Sequence, residues 1–260
     1  MARNVIIHYH LFKNAGSSVD HIFEREFAGR FGQIEGEHPW SVLGDAEMTA
    51  YLDANPSIAC VTSHQATMFQ TIPTHLTVYP ILFLRHPIDR AHSVYEYEKR
   101  QTGSTSHGSR MAKQLDFDAY VRWRLTPEGG AVIKNFQSRC VSGRRNPALA
   151  ASINDATMRS ITLAQIEKMP FFGIVERFDD SITVMQRYLE PAFPGMDYTY
   201  QHVNSSAGRA RTIEERIARI QELLPTETYD LLVAHNQCDI DVYDVALRRF
   251  ATLLDATAHP

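Results

Sequence analysis

An apolar run that leads into a loop of small residues and then into a helical pattern is the feature that most constrains the fold. Residues 4–12 (NVIIHYHLF) are typical of a buried strand, residues 13–18 (KNAGSS) of a tight turn, and residues 18–27 of a helix. A strand followed by a crossover helix is the building unit of parallel sheets. This segment therefore predicts an α/β protein that binds its ligand in the loops after the strands.

The same pattern recurs along the chain. Strands are predicted at residues 58–62, 76–84 and 171–175, and the second of these runs through Arg85 into a helix that ends near Arg100. The alternation predicts a three-layer, P-loop-like α/β fold with a central, mainly parallel sheet flanked by helices, in a single domain spanning the whole chain. Further helices are predicted at residues 116–125, 129–139, 155–168, 179–190, 212–224 and 226–234.

Composition excludes several classes of function. The chain has 26 basic and 30 acidic residues and a net charge of −4, so no overall field favours nucleic acid or an anionic membrane. Three cysteines that lie far apart in the sequence do not suggest a disulfide framework. Without a signal-peptide pattern, we expect a cytoplasmic protein with no stable membrane insertion. The polar stretch at residues 101–110 is predicted to be a mobile loop.

The first loop is suited to hold an anion. Unpaired amides at a helix N-terminus attract one phosphate, while Ser17 and Ser18 add hydroxyl donors and Lys13 adds a positive charge. The loop is not a Walker A motif, because its lysine precedes the glycine instead of following it. Taken alone, the stretch is explained equally well as a turn with a helix cap.

A second loop of the same kind favours an anion-binding site over a simple turn with a helix cap. Arg85 follows a predicted strand directly, and Ser93 lies eight positions later on the next helix, so both are able to reach a second phosphate. Two anion-binding corners after neighbouring strands predict a nucleotide that carries phosphates at both ends.

These two segments, LFKNAGSS and FLRHPIDRAHSVY, resemble the paired signatures of the sulfotransferases that use 3′-phosphoadenosine 5′-phosphosulfate (PAPS). The resemblance is closest to the branch of heparan sulfate and uronyl 2-O-sulfotransferases and their bacterial relatives. It extends over almost the whole chain through four weaker matches, which are NFQSRCVSG at 135–143, FGIVERFDDSITVM at 172–185, HVNSS at 202–206 and HNQCDIDVYDVALRRF at 235–250.

The resemblance implies a nucleotide-binding enzyme that transfers a sulfuryl group from PAPS to an acceptor hydroxyl and releases adenosine 3′,5′-bisphosphate, with no metal expected. Lys13 resembles the lysine that contacts the 5′-phosphosulfate. Arg85 and Ser93 match the pair that holds the 3′-phosphate, and Arg209 or Arg211 is placed to close over it. The remaining cradle positions are Asn14, Ala15, Gly16, Ser17 and Ser18.

A histidine is the most suitable general base for the acceptor hydroxyl. His64 is predicted to fill this role, because it follows the second strand and resembles a histidine in the 2-O-sulfotransferases; Glu35 or Glu37 is the alternative. His8 and His10 alternate on one strand face, as a metal pair would, but without a third ligand in the sequence pattern they are interpreted as packing residues.

Other segments leave alternatives open. Asn135, Gln137 and Arg139 either contact the acceptor or belong to a buried hydrogen-bond network, and Glu176 is predicted to pair with Arg177. The resemblance favours carbohydrate sulfation, of a saccharide or glycolipid, and the C-terminal helices offer a surface for a homodimer. The alternative functions are a P-loop small-molecule kinase that uses Mg-ATP, and a non-catalytic module that binds an anion or a polysaccharide.

Overall fold

The predicted parallel sheet is present, with five strands in the part of the chain that the structure describes. The computed structural model describes residues 2–38, 40–103, 106–200 and 212–258. Within these residues the strand order is β2-β3-β1-β4-β5, and every neighbouring pair is parallel. This confirms the α/β class and the P-loop-like arrangement of a central sheet flanked by helices. The strands are β1 (Arg3–Tyr9), β2 (Phe31–Gln33), β3 (Cys60–Ser63), β4 (Leu76–Leu84) and β5 (Gly173–Ile174).

Helices connect the strands and cover the sheet. In the described residues they are α1 (Gly16–Glu26), α2 (Asp45–Ala54), α3 (Pro87–Arg100), α4 (His107–Gln114), α5 (Phe117–Leu125), α6 (Phe136–Val141), α7 (Pro147–Ala150), α8 (Asp155–Lys168), α9 (Phe178–Leu189), α10 (Ile213–Glu222), α11 (Thr226–Ala234) and α12 (Gln237–Ala258), with a 3₁₀ turn at Val175–Arg177. No helix within the described parts of the chain is long and apolar enough to cross a membrane.

Three predicted elements differ from the structure. The strand expected at 171–175 is limited to Gly173–Ile174, and Val175 already begins a 3₁₀ turn. The helix expected at 129–139 begins only at Phe136, because Gly130 has a φ of 70° and Asn135 a φ of 44°, both outside the helical region. The loop expected at 101–110 becomes helical at His107, where the Ser106 hydroxyl accepts a hydrogen bond from the backbone N–H of Ser109.

The core is built around the central strands. Val5, Ile6 and Ile7 of β1 and Ile81 and Leu82 of β4 are fully buried, as expected for strands covered on both faces. A second buried cluster lies between α3, α4 and α5. Polar residues lie at one edge of the sheet, where the central strands end.

The register of the strands sets the position of that edge. Tyr9, the last residue of β1, pairs with Ser63 of β3 and with Leu82 of β4. The residues that follow these three strands therefore emerge side by side. The segments concerned are the loop after β1, His64 after β3, and Arg85 after β4.

Candidate functional site

The loop at residues 13–18 has an unusual backbone. Lys13 and Ala15 have φ angles of 65° and 62°, in the left-handed region that costs an ordinary residue on the order of 1–2 kcal/mol. Helix α1 begins directly afterwards at Gly16, so its first amides and its positive dipole end face the loop. Such strain in a loop that precedes a helix N-terminus is typical of functional sites.

Gly16 is required by a close approach. A Cβ atom at this position would lie 2.1 Å from the His10 ring. The glycine thus allows the start of α1 to lie against the end of β1, which keeps the loop tightly folded.

Lys13 and Asn14 point to different surroundings. The Lys13 ammonium lies 4.4 Å above the ring of Tyr97 on α3. The Asn14 side chain is buried and donates hydrogen bonds of 2.7 Å to the Phe83 carbonyl and to Oε1 of Gln137. Asn14 therefore holds the loop from inside the protein, and its place in an anion cradle stays a prediction.

Arg85 ties the second corner to the first. Its Nη1 donates to the Lys13 carbonyl at 2.9 Å, and its Nε donates to Asp89 at 2.7 Å. Gln137 completes the link, because its amide accepts from the Arg85 backbone N–H and donates to the Arg85 carbonyl while also accepting from Asn14. The two predicted anion-binding loops are thus one connected unit.

Positive charge surrounds Asp89 at this corner. Its Oδ2 lies 2.6 Å from Nη2 of Arg85 and 3.4 Å from Nη1 of Arg216 on α10. Ser93 is buried one turn further along α3, on the same face as Asp89. Arg209 and Arg211 lie outside the described residues, and their role stays a prediction. Among the described residues, Arg216 is a late-chain arginine that lies at this corner.

His64 lies at the same edge of the sheet with its side chain 42% exposed, which leaves the ring accessible to an acceptor. Its Nδ1 lies 2.9 Å from Oε1 of Glu35, and its backbone N–H donates to the same oxygen at 2.8 Å. Its ring stacks on His10 with centroids 3.9 Å apart, and Arg145 donates to its carbonyl at 2.9 Å. The ring is therefore held on several sides.

Glu35 is suited to orient His64. Burial opposes its ionisation, but the hydrogen bonds from the His64 side chain and backbone outweigh burial and hold the pKa of Glu35 below its usual value. A carboxylate that is charged at neutral pH accepts a hydrogen bond from Nδ1 and leaves Nε2 as the basic nitrogen. Glu37, the other alternative base, lies on the exposed turn two residues further on.

A largely buried cluster of His8, His10 and Asp20 lies next to His64, whose ring stacks on His10. The Asp20 oxygens are 2.6 Å from Nδ1 of His8 and 2.7 Å from Nδ1 of His10. Burial raises the pKa of Asp20, but the two histidines outweigh it and hold that pKa well below its usual value. Burial also lowers the pKa of His10. Sequence reasoning missed Asp20, because it lies on α1 and outside the alternation of the strand.

Of the three residues at 135–139 for which two alternatives were open, Asn135 and Gln137 belong to a hydrogen-bond network. Asn135 accepts from the backbone N–H of Asp239, and the Asp239 carboxylate accepts in turn from the backbone N–H of Gln137 at 3.0 Å. Together with the contacts of the Gln137 side chain, this makes the segment a buried network. Arg139 is partly buried, and burial lowers its pKa.

The predicted Glu176–Arg177 ion pair is wrong. The Glu176 carboxylate accepts from the His86 backbone N–H at 3.0 Å and from the Tyr243 hydroxyl at 2.8 Å, whereas Arg177 pairs with Asp180. The two side chains are adjacent in a 3₁₀ turn and point in different directions.

Gln137 offers a test of the connection between the two loops. We expect Gln137→Leu to lower the free energy of unfolding by about 2–4 kcal/mol, because each buried polar group left without a partner costs on the order of 1–3 kcal/mol. Denaturant unfolding measures the change, with Gln237→Leu as an exposed control that should leave stability nearly unaltered. Equal stability of the two variants would contradict the role given to Gln137.

Comparison with known proteins gives a relative but no family. No family model matches the chain. An uncharacterized protein of Archaeoglobus fulgidus is 29% identical over 249 residues, which is 94% of this chain and 96% of the relative. The likeness thus extends over nearly the full length of both chains. The relative's name assigns no activity, so the chemistry of the site rests on its own residues.

Proposed function

We propose that this protein is a PAPS-dependent sulfotransferase that acts on a hydroxyl of a carbohydrate or glycolipid. The observation that carries the proposal is the hydrogen bond from Nη1 of Arg85 to the Lys13 carbonyl. It connects the two loops predicted to bind anions, at one sheet edge, beside an exposed histidine paired with a carboxylate. A donor with phosphate groups at both ends needs two such corners at a fixed separation.

The donor would lie across the two corners. The amides at the start of α1 and the Lys13 ammonium would bind the 5′-phosphosulfate, and Arg85 with Ser93 would bind the 3′-phosphate. Arg216 adds positive charge near Arg85, since both guanidinium groups lie against Asp89. The adenosine would bridge the two loops, which Gln137 holds at a constant distance.

Sulfuryl transfer requires mainly alignment and stabilisation of charge. A new bond forms between the acceptor oxygen and sulfur, while the bond between sulfur and the bridging oxygen of the 5′-phosphate breaks. The electron pair of the broken bond goes to the bridging oxygen, where Lys13 and the loop amides stabilise the developing charge. The acceptor proton passes to Nε2 of His64, and Glu35 stabilises the imidazolium that forms.

Turnover of the donor tests this proposal. We expect the protein to release adenosine 3′,5′-bisphosphate from PAPS faster when a mixture of glycans and glycolipids is added, with the radioactive sulfur of labelled PAPS appearing in the saccharide fraction. Heat-denatured protein provides the background rate. Binding of PAPS without any transfer of label to any acceptor would instead support the non-catalytic module.

The kinase alternative has less support from the site. Mg-ATP is held in P-loop enzymes by a lysine directly before a serine or threonine, and by an aspartate after a neighbouring strand. Here Lys13 precedes Gly16, and the strands on either side of β1 are followed by His64 and Arg85. Arg85, which we propose binds the 3′-phosphate, follows β4, and no aspartate directly follows either neighbouring strand.

A further inference from the structure

We propose that His8, His10 and Asp20 form a binding site for one divalent transition-metal ion, with Zn²⁺ as the best match. The three ligand atoms lie within 4.8 Å of one another. The inference does not rest on the proposed sulfuryl transfer, because none of these three residues has a role in that reaction, although the His10 ring stacks on His64.

Two consecutive elements, β1 and α1, bring the ligands together. His8 and His10 are two residues apart on β1 and at its end, so their side chains share one face of the central strand. Helix α1 then returns Asp20 to that face, with one carboxylate oxygen near each imidazole. The third ligand that the strand pattern lacked is supplied by the next element of the chain.

The donor set fits the ion. Two imidazoles and one carboxylate are a usual set for Zn²⁺ with an open fourth position, and they also bind other first-row divalent ions. His8 and His10 are buried, with side chains 1% and 9% exposed, while Asp20 is 21% exposed. The imidazoles are thus shielded from solvent, and Asp20 is the ligand on the solvent side of the cluster.

The metal-free form holds protons where the ion would bind. An ionised carboxylate only accepts hydrogen bonds, so each Nδ1 carries a proton and donates a hydrogen bond to Asp20. Tetrahedral ligand atoms about 2.0–2.2 Å from Zn²⁺ are about 3.3–3.6 Å apart, so the distances between the carboxylate and the imidazoles must grow from the present 2.6 and 2.7 Å by roughly 0.6–1.0 Å. On binding, the Nδ1 protons move to Nε2 of the same rings or leave to solvent.

The ligands of this site flank the first predicted anion-binding loop in the sequence. His10 precedes residues 13–18 and Asp20 follows them, and the His10 ring lies against Gly16. An ion bound by both His10 and Asp20 would fix the two ends of the loop relative to each other. The ion would therefore act as a structural link between β1 and α1.

Metal binding to tag-free, chelator-treated protein tests the inference. We expect calorimetry with Zn²⁺ to give one site per chain, and Co²⁺ to give the visible absorption of a four- or five-coordinate site. Asp20→Asn should weaken Zn²⁺ binding by at least about 10–100-fold, since loss of even an outer-shell partner costs that much. The control is His75→Ala, which removes an exposed histidine paired with a single carboxylate, Asp53.

Two further measurements keep the test decisive if Asp20→Asn does not fold. X-ray absorption of the Zn²⁺-loaded wild-type protein should show two imidazole ligands and one or more oxygen ligands. His10→Cys should add a thiolate-to-Co²⁺ charge-transfer band. Absence of Zn²⁺ binding in the wild-type protein, or a metal environment without imidazole, would overturn the proposal and leave a purely hydrogen-bonded cluster. Neither result bears on donor binding, which is measured with nucleotide alone.

Discussion

Lys13→Ala is expected to lower kcat for transfer from PAPS by at least about a hundredfold, because removal of one donor that stabilises transition-state charge typically costs 10²–10³ in rate. The developing charge lies on the oxygen that leaves with the 5′-phosphate, next to the loop that carries Lys13. Donor binding should weaken less than turnover, since the loop amides remain. Steady-state kinetics with saturating PAPS separates the two effects.

Lys99→Ala is the matched control for Lys13→Ala. Lys99 also lies over a tyrosine of α3, with its ammonium 5.0 Å from the Tyr95 ring, but it is at the far end of that helix. We expect this variant to keep wild-type turnover. A similar loss in both variants would mean that Lys13 matters only for packing on α3, and turnover unaffected by Lys13→Ala would contradict its role in stabilising the leaving group.

His64→Ala is expected to lower kcat by about 10²–10⁴-fold, the usual contribution of a positioned general base. Affinity for adenosine 3′,5′-bisphosphate should stay near the wild-type value, because the ring contacts neither anion-binding loop in the proposed complex. Calorimetry of the variant measures that affinity, and initial rates measure the loss of turnover. His75→Ala is the control, since His75 is another exposed histidine 2.8 Å from a carboxylate.

The turnover of Glu35→Gln, compared with that of His64→Ala, shows whether His64 or a glutamate is the general base. A glutamine oxygen still accepts the hydrogen bond from Nδ1 but carries no charge, so we expect a loss smaller than that of His64→Ala. If Glu35→Gln abolished turnover while His64→Ala did not, Glu35 would be the base and His64 its partner.

Strands and their ends were predictable from the sequence because buried parallel strands are continuous apolar runs. The strand at 76–84 carries a long apolar stretch and was found. The apolar run at 171–175 contains β5, although only Gly173–Ile174 is a strand, whereas Phe31–Gln33 holds a glycine and a glutamine and gives no apolar run. The prediction of a helix at 129–139 was wrong before Phe136, because the apolar spacing suggested a helix while Gly129 and Gly130 favour a turn. In that segment the backbone preference of glycine outweighs periodicity.

Site residues were predictable where they follow a strand. Lys13, His64 and Arg85 lie at one edge of the sheet because parallel strands end together. The sequence shows which residues follow each strand, so this grouping was predictable. Gln137 and Asp20 were missed or left undecided because their roles depend on contacts from helices, at separations and angles that the sequence does not encode locally. The connection between the loops therefore appears only in three dimensions.

The central claim is that the two connected loops bind a nucleotide with phosphates at both ends. Calorimetry with adenosine 3′,5′-bisphosphate and with Mg-ATP, on the wild-type protein and on Arg85→Ala, tests it most directly, and Arg122→Ala serves as a control on an exposed arginine. We predict tight binding of the bisphosphate that collapses in Arg85→Ala and persists in the control. Binding of Mg-ATP without binding of the bisphosphate would contradict the sulfotransferase account and favour the kinase.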